Sequence, residues 1–241
     1  ADIDGEGSEF TLKAGQLLES VKRVSYAIPQ QGGNATMSTM CLQAKDGQLN
    51  FVGLDGHVLA WDKIDYDGEF ELLIPKNTID KLKTLGLTGE VRIRHSNAMA
   101  IFATDDFEIC TRLVQGEYYK YQNMFKELPL HTVISRKELL DAMVRAKMCT
   151  AEKCPVKFEI AGSQLGLSIK DQTTDYHETV DLQENISEEL TIGFDARLVI
   201  ETLKAFDCDN VGISLQSPKM PMIIEAEDSD FKTIVLPVAI K

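Results

Sequence analysis

The stretch Phe51-Val-Gly-Leu-Asp-Gly-His-Val-Leu-Ala-Trp61 is an apolar run broken at its centre by an acid and a histidine. Asp55 beside His57 has the residue types of half a catalytic pair or of a metal site. The same residues also suit a hairpin turn, because Asp-Gly is favoured where the chain must take positive φ. A catalytic reading needs a nucleophile or second acid at defined spacing, and Ser25, Ser38 and Ser96 lack the strand-turn-helix elbow that exposes a serine nucleophile. The acidic pair Asp105-Asp106 sits between two β-branched runs and reads as another turn. The chain has no H-E-x-x-H, G-x-S-x-G, P-loop or G-x-G-x-x-G pattern, so a metal-dependent hydrolase built on its acids is the weaker function class. Its five cysteines (Cys41, Cys110, Cys149, Cys154, Cys208) form no C-x-x-C pair, and its four histidines are too dispersed for a zinc motif. They read as reduced, mostly buried thiols, with no metal and no cofactor implied.

The elements that hold these residues follow from composition and periodicity. A chain of 241 residues, 44% hydrophobic, suits two domains of roughly 120 residues each. With 26% charged residues, no window approaches the ~20 apolar residues of a membrane span. The stretch Ala1-Asp-Ile-Asp-Gly-Glu-Gly7 is acidic and unlike a presequence, which makes a cytoplasmic protein the expectation.

The chain repeats. Gln16-Leu-Leu-Glu-Ser-Val-Lys-Arg-Val24 overlies Glu138-Leu-Leu-Asp-Ala-Met-Val-Arg-Ala146 with seven positions of like chemistry at an offset of 122. Leu82–Leu85 overlies Leu203–Phe206, and Val91–Ile93 overlies Val211–Ile213, at offsets of 121 and 120. Helical spacing marks 13–27, 76–85, 136–148 and 196–206, the second opened by Pro75 and the third capped by Ser135. Between them lie short β-type runs such as Val91–Arg94, Met99–Thr104, Phe107–Leu113, Leu165–Ile169 and Thr233–Val238. The implied fold is α+β, a β-α-β-β-β unit occurring four times, two to a domain, with helices on one face and antiparallel sheet on the other.

Charge follows the same division. Over 11–27, 76–85, 135–150 and 195–205 the chain carries twelve basic residues against six acidic ones, which leaves −19 on the remainder of a chain whose total is −13. The basic residues are Lys13, Lys22, Arg23, Lys76, Lys81, Lys83, Arg136, Lys137, Arg145, Lys147, Arg197 and Lys204. Exposed helix faces are often lysine-rich, so solvation alone is one explanation. Four such helices sharing one surface would instead line a path for a polyanion, while the acidic sheets repel it.

Several stretches together resemble one family, the bacterial sliding clamp, or beta subunit of DNA polymerase III, in its second and third domains. Leu54-Asp-Gly-His-Val-Leu59 is similar to its T-D-G-H-R-L, and Arg112-Leu-Val-Gln-Gly-Glu-Tyr-Tyr-Lys-Tyr121 to its R-L-I-x-G-x-F-P-x-Y. Gly193-Phe-Asp195, Ser217-Pro218 and Leu236-Pro-Val-Ala-Ile240, similar to a terminal M-P-M-R-L, continue the match in order. The resemblance implies a linker at 1–7, one clamp domain at 8–128 and another at 129–241. It implies helices lining a ring around duplex DNA, touching phosphates without reading sequence.

The resemblance also implies a non-enzymatic processivity factor, with a pocket between these domains for short apolar peptides of the polymerase, clamp loader and repair proteins. Carried over by position, the pocket comprises Met37, Leu54, Gly56, His57, Val58 and Leu59; Tyr119, Asn123 and Met124; Cys154; Asp195 and Leu198; and Met222, Ile234, Val235, Leu236, Pro237 and Val238. Departures from the family pattern are Leu54 for Thr, Val58 for Arg, Tyr119 for Pro, Leu198 for an aromatic and Ala239 for Arg, with Lys241 extending the terminus. They imply a greasier pocket. Nothing in the sequence corresponds to the family's first domain, so the expectation is a fragment or a two-domain variant. Such a chain is a monomer unless it closes a ring as a trimer, and an adaptor that captures peptides without encircling DNA is the alternative function.

Overall fold

The computed structural model describes residues 7–30, 34–149, 155–170 and 174–240. Cys154, Lys241 and all but the last residue of the expected 1–7 linker lie outside them. The chain divides into two compact units, Ala1–Lys120 and Tyr121–Lys241.

The first unit runs β1 (Ser8–Lys13), α1 (Ala14–Ser25), β2 (Thr39–Lys45), β3 (Gln48–Leu54), β4 (Val58–Asp65), β5 (Phe70–Pro75), α2 (Lys76–Thr84), β6 (Glu90–His95), β7 (Met99–Ala103) and β8 (Glu108–Arg112). This is the β-α-β-β-β unit twice over. All pairings are antiparallel: β1-β6-β7-β8 in one sheet, and β4-β3-β2-β5 in order in the other. Helix α1 packs on α2 and on β3 and β4. Its apolar positions Leu17, Val21 and Val24 are fully buried, as period-3.6 spacing requires. The closest approach is at Gly53 of β3, where a β-carbon would lie 2.4 Å from the Val24 carbonyl oxygen. Only glycine lets that helix turn rest on the strand.

The second unit runs β9 (Leu130–Ser135), α3 (Arg136–Met148), β10 (Val156–Lys170), β11 (Asp175–Phe194), α4 (Ala196–Lys204), β12 (Asn210–Leu215), β13 (Met222–Ala226) and β14 (Lys232–Val235). Strand β9 stands in the place of β1, and β9-β12-β13-β14 repeats β1-β6-β7-β8. Register repeats as well: Phe10 faces Ile93 in the first unit and Thr132 faces Ile213 in the second. Where the first unit has four strands, β2 to β5, the second has two long ones. Strand β10 turns at Gly162 (φ +55), and its pairing with β11 shifts there. Beyond that point the Ser168 hydroxyl comes back to Glu159 Oε2 at 3.2 Å. In α3, Leu139, Met143 and Ala146 are fully buried, the counterparts of Leu17, Val21 and Val24.

Caps behave as expected. Helix α2 starts directly after Pro75, and the Ser135 hydroxyl accepts the Glu138 amide at 3.3 Å. Asp195 plays that part for α4, its Oδ1 accepting the Arg197 amide at 2.8 Å. No helix of the described residues is long and apolar enough to cross a membrane.

Candidate functional site

The Asp55–His57 stretch is a turn, though not the one its dipeptide suggests. The simple expectation places Asp-Gly at the two central positions with positive φ at both. That geometry occurs instead at Asp46-Gly47 (φ +53 and +77), between the paired residues Lys45 and Gln48. At the β3–β4 tip the central residues are Gly56 and His57, and only Gly56 has positive φ (+86). The Asp55 amide donates to the Val58 carbonyl at 3.1 Å, while Asp55 Oδ1 accepts the amides of both His57 and Val58 at 2.8 Å. The carboxylate thus replaces a main-chain acceptor, and its lone pairs are committed to the turn. His57 is exposed. Asp105-Asp106 is likewise a turn, closed by the Thr104 amide on the Phe107 carbonyl at 2.9 Å.

The residues expected to contact a peptide fall in both units. In the first, the β3–β4 tip places Leu54, Val58 and Leu59 inward, all nearly fully buried, with Gly56 and His57 outward. Met37, half-buried in the 3-10 turn Ala35–Ser38, lies beside the tip, its Cε 3.6 Å from where a Gly56 β-carbon would be. Tyr119 is 46% exposed, whereas its neighbour Tyr118 is buried with its hydroxyl on the Val52 carbonyl.

In the second unit, Asn123 and Met124 are exposed on the 3-10 turn Tyr121–Met124. The rest converge. Met222 of β13 faces Val235 of β14, and Ile223 faces Ile234. Past Val235 the chain continues through half-buried Leu236, Pro237 and Val238, and the Val238 amide donates to the Gly193 carbonyl at 2.8 Å. Gly193 permits this: a β-carbon there would lie 2.7 Å from Ile240 Cγ1. Two residues on, Asp195 caps α4, and Leu198, 8% exposed, sits in the helix's first turn. One apolar corner of the unit therefore gathers the C-terminal stretch, the start of α4 and the start of β13.

The helix cations are less uniform than a charge count suggests. Arg23 is turned inward, its guanidinium 3.4 Å from Asp62 of β4 and 2.6 Å from Glu19. Arg136 donates through Nε to the Cys208 carbonyl at 2.6 Å and through Nη1 to the Leu203 carbonyl at 3.5 Å, tying the start of α3 to the end of α4. Both serve the fold. Lys76 pairs with Asp80, Lys137 with Asp141 and Lys204 with Glu201. Arg145 forks onto Glu178 of β11, at 3.0 Å through Nε and 2.5 Å through Nη2, and Tyr176 donates its hydroxyl to the same carboxylate. Lys83 Nζ donates to the Ser25 hydroxyl at 2.9 Å. Lys13, Lys22, Lys81, Lys147 and Arg197 are exposed.

These contacts shift protonation as their surroundings dictate. Burial raises the Asp62 carboxyl above the ordinary carboxylate value, against the lowering pull of a Ser20 hydrogen bond and the Arg23 charge. Arg145 holds Glu178 below its ordinary value, chiefly through their hydrogen bonds. Burial and the Glu178 hydrogen bond push Tyr176 up to about 12. Asp62 and Glu178 are the partners that sequence reasoning missed. Asp62 was findable: it takes the inward phase of β4 with Val58 and Ala60, where an acid needs a cation. Glu178 lies 33 residues from Arg145, and no local pattern links them.

Among the described thiols Cys41 and Cys208 are buried, Cys149 is half-buried and Cys110 is exposed. The expectation of mostly buried cysteines thus fails at Cys110, on β8. Trp61 and Tyr66 are packing residues: Trp61 Nε1 donates to Asn50 Oδ1 at 2.9 Å, and Tyr66 packs against Phe10 and Phe70.

Comparison with known proteins identifies the repeat. The family described as DNA polymerase III beta subunit, central domain, matches residues 11–120, and the same subunit's C-terminal domain matches 126–239. Curated relatives include the beta sliding clamp of Proteus mirabilis, 26% identical over 218 residues, covering 86% of this chain and 59% of the relative. That of Buchnera aphidicola is 22% identical over 238 residues, covering 95% of this chain and 64% of the relative. The chain therefore spans about three fifths of the length of these relatives. The crystal structure of the DNA polymerase III subunit beta from Pseudomonas aeruginosa superposes with a TM-score of 0.94 at 23% identity, over 100% of this chain and 68% of that one. A Pseudomonas aeruginosa sliding clamp bound to griselimycin scores 0.93 at 23% identity, with the same coverage. Those two likenesses concern the fold, and the family matches across both units carry the conclusion: the chain belongs to the DNA polymerase III beta subunit family, the bacterial sliding clamps, through their central and C-terminal domains.

Proposed function

We propose that this chain works as a sliding clamp, a non-catalytic processivity factor that faces duplex DNA with its helices and tethers replication and repair proteins by their short apolar peptides. The observation that carries the reading is the family match across both units, with basic helices on a chain of net charge −13. Contacts to phosphate are non-directional and sequence-independent, which is what sliding needs. The peptide anchor is assigned to the second unit's apolar corner of Met222, Leu198 and Leu236–Val238.

The partners are double-stranded DNA, the polymerase, the clamp loader and repair polymerases, and ring closure calls for further clamp domains from self-association or from a longer chain. The test is topological. Protein loaded on nicked circular DNA should be retained and then released when the circle is cut, and a short apolar clamp-motif peptide should bind. Equal retention on linear and circular DNA would sink encirclement. Peptide binding without any DNA retention would instead establish the adaptor, a reading favoured by how many helix cations are already paired.

A further inference from the structure

We infer that the phosphate grip of this chain is lopsided, supplied mainly by the first unit through Lys13, Lys22 and Lys81, with Arg197 and Lys147 the smaller contribution of the second. The inference rests on the proposed DNA-facing role of the helices and assigns it unequally. By sequence each unit has six basic residues in its helical segments. The acids differ: Glu19 and Asp80 in the first, against Glu138, Asp141, Asp195 and Glu201 in the second.

The fold keeps that difference, bringing one strand acid onto a helix arginine in each unit. In the second unit Lys137 is 2.9 Å from Asp141 and Lys204 3.0 Å from Glu201, and β11 brings Glu178 onto Arg145 from outside the helix. The half-buried Arg136 guanidinium keeps its charge, but its Nε and Nη1 donors are taken by main-chain carbonyls and are not offered to a phosphate. In the first unit the inward Arg23 absorbs Glu19 and Asp62, and Lys76 absorbs Asp80. Lys13, Lys22 and Lys81 stay exposed and make no ion pair among the described residues. Lys83 gives its ammonium to a neutral hydroxyl, so its charge is not cancelled. Burial first, then the charge of Lys76, hold Lys83 below the ordinary lysine value against the raising pull of Asp80.

A surface ion pair costs little to open. Opening it does not help a phosphate, however, because the acid stays beside the lysine and the phosphate responds to their sum. A cation without a nearby acid is what releases counterions, and each phosphate it neutralises adds about 0.9 to the slope of log affinity against log salt.

The experiment measures association of the full chain with a short mixed-sequence duplex as a function of salt, for wild type and two neutralised variants. Lys13→Gln/Lys22→Gln/Lys81→Gln should lower the slope by roughly three. Lys137→Gln/Asp141→Asn/Lys204→Gln/Glu201→Gln, which removes two whole pairs and leaves the summed charge unchanged, should lower it by less than about one. Equal losses, or a larger loss in the second variant, overturn the inference and leave the DNA reading standing. Absence of any salt-dependent association in the wild type fails the DNA reading and the inference with it. Should either variant unfold, amide chemical-shift mapping of the wild type decides: shifts centred on α1 and α2 support the inference, and shifts centred on α3 overturn it.

Discussion

Arg23 of α1 and Asp62 of β4 meet at 3.4 Å beneath the helix, with the Asp62 side chain 2% exposed. The pair fastens α1 to the sheet, and it removes an arginine from the surface that the charge count assigns to DNA. Asp62→Ala should cost about 3 kcal/mol of stability, since a largely buried guanidinium then loses the carboxylate beneath it. Replacing both residues with apolar ones of similar size should recover most of that loss. Urea unfolding of the single and double variants checks this, and a double variant as weak as Asp62→Ala would show that the ion pair itself is stabilising.

Glu178 and Asp62 respond to acid in opposite senses. The folded-state value of Glu178 is depressed, so its contribution is complete above the ordinary carboxylate range and is lost as pH falls through the lowered value. Asp62 is raised, so its contribution is complete below the ordinary value and is lost as pH rises through the raised one. The stability gap between wild type and Glu178→Gln should therefore shrink on acidification below the ordinary glutamate range. Melting temperatures of both proteins from neutral pH downward test it, and a gap that stays constant refutes the assignment.

Leu236 and Met222 separate binding from folding. Leu236 is half-buried beyond β14, and Met222 is fully buried on β13. Leu236→Ala should weaken a clamp-motif peptide by about 2 kcal/mol, near 30-fold, with little change in melting temperature. Met222→Ala should weaken it too, but also lose about 2–5 kcal/mol of stability through the cavity left behind. Fluorescence anisotropy with a labelled peptide, alongside calorimetry, measures both. Unchanged affinity in Leu236→Ala would remove the C-terminal corner from the site.

Gly53 and Gly15 make a matched pair. A β-carbon at Gly53 meets the Val24 carbonyl oxygen at 2.4 Å, whereas at Gly15 nothing lies within 4 Å. Gly53→Ala should cost about 3 kcal/mol by forcing α1 off β3, and Gly15→Ala, within a helix, should gain about 0.5 kcal/mol. Equal effects in thermal unfolding would contradict the close approach.

The sequence by itself determined the repeat, the four helices and most strands. Helices and antiparallel hairpins are set by local periodicity and caps: the 3.6 spacing of Leu17, Val21 and Val24, Pro75 before α2, Ser135 before α3. Family motifs located the candidate corner around Leu236–Val238. Turn geometry was half legible, because Asp-Gly occurs both at 46–47 and at 55–56 and only strand register decides which pair holds two positive φ angles. What tertiary structure alone decided is the fate of each charge. Arg23, Arg136 and Arg145 look like their neighbours along the chain, yet their partners lie on other elements: Asp62, the carbonyls of Leu203 and Cys208, and Glu178. Formal charge is additive along a sequence, whereas the field a phosphate meets depends on which charges the fold has already brought together.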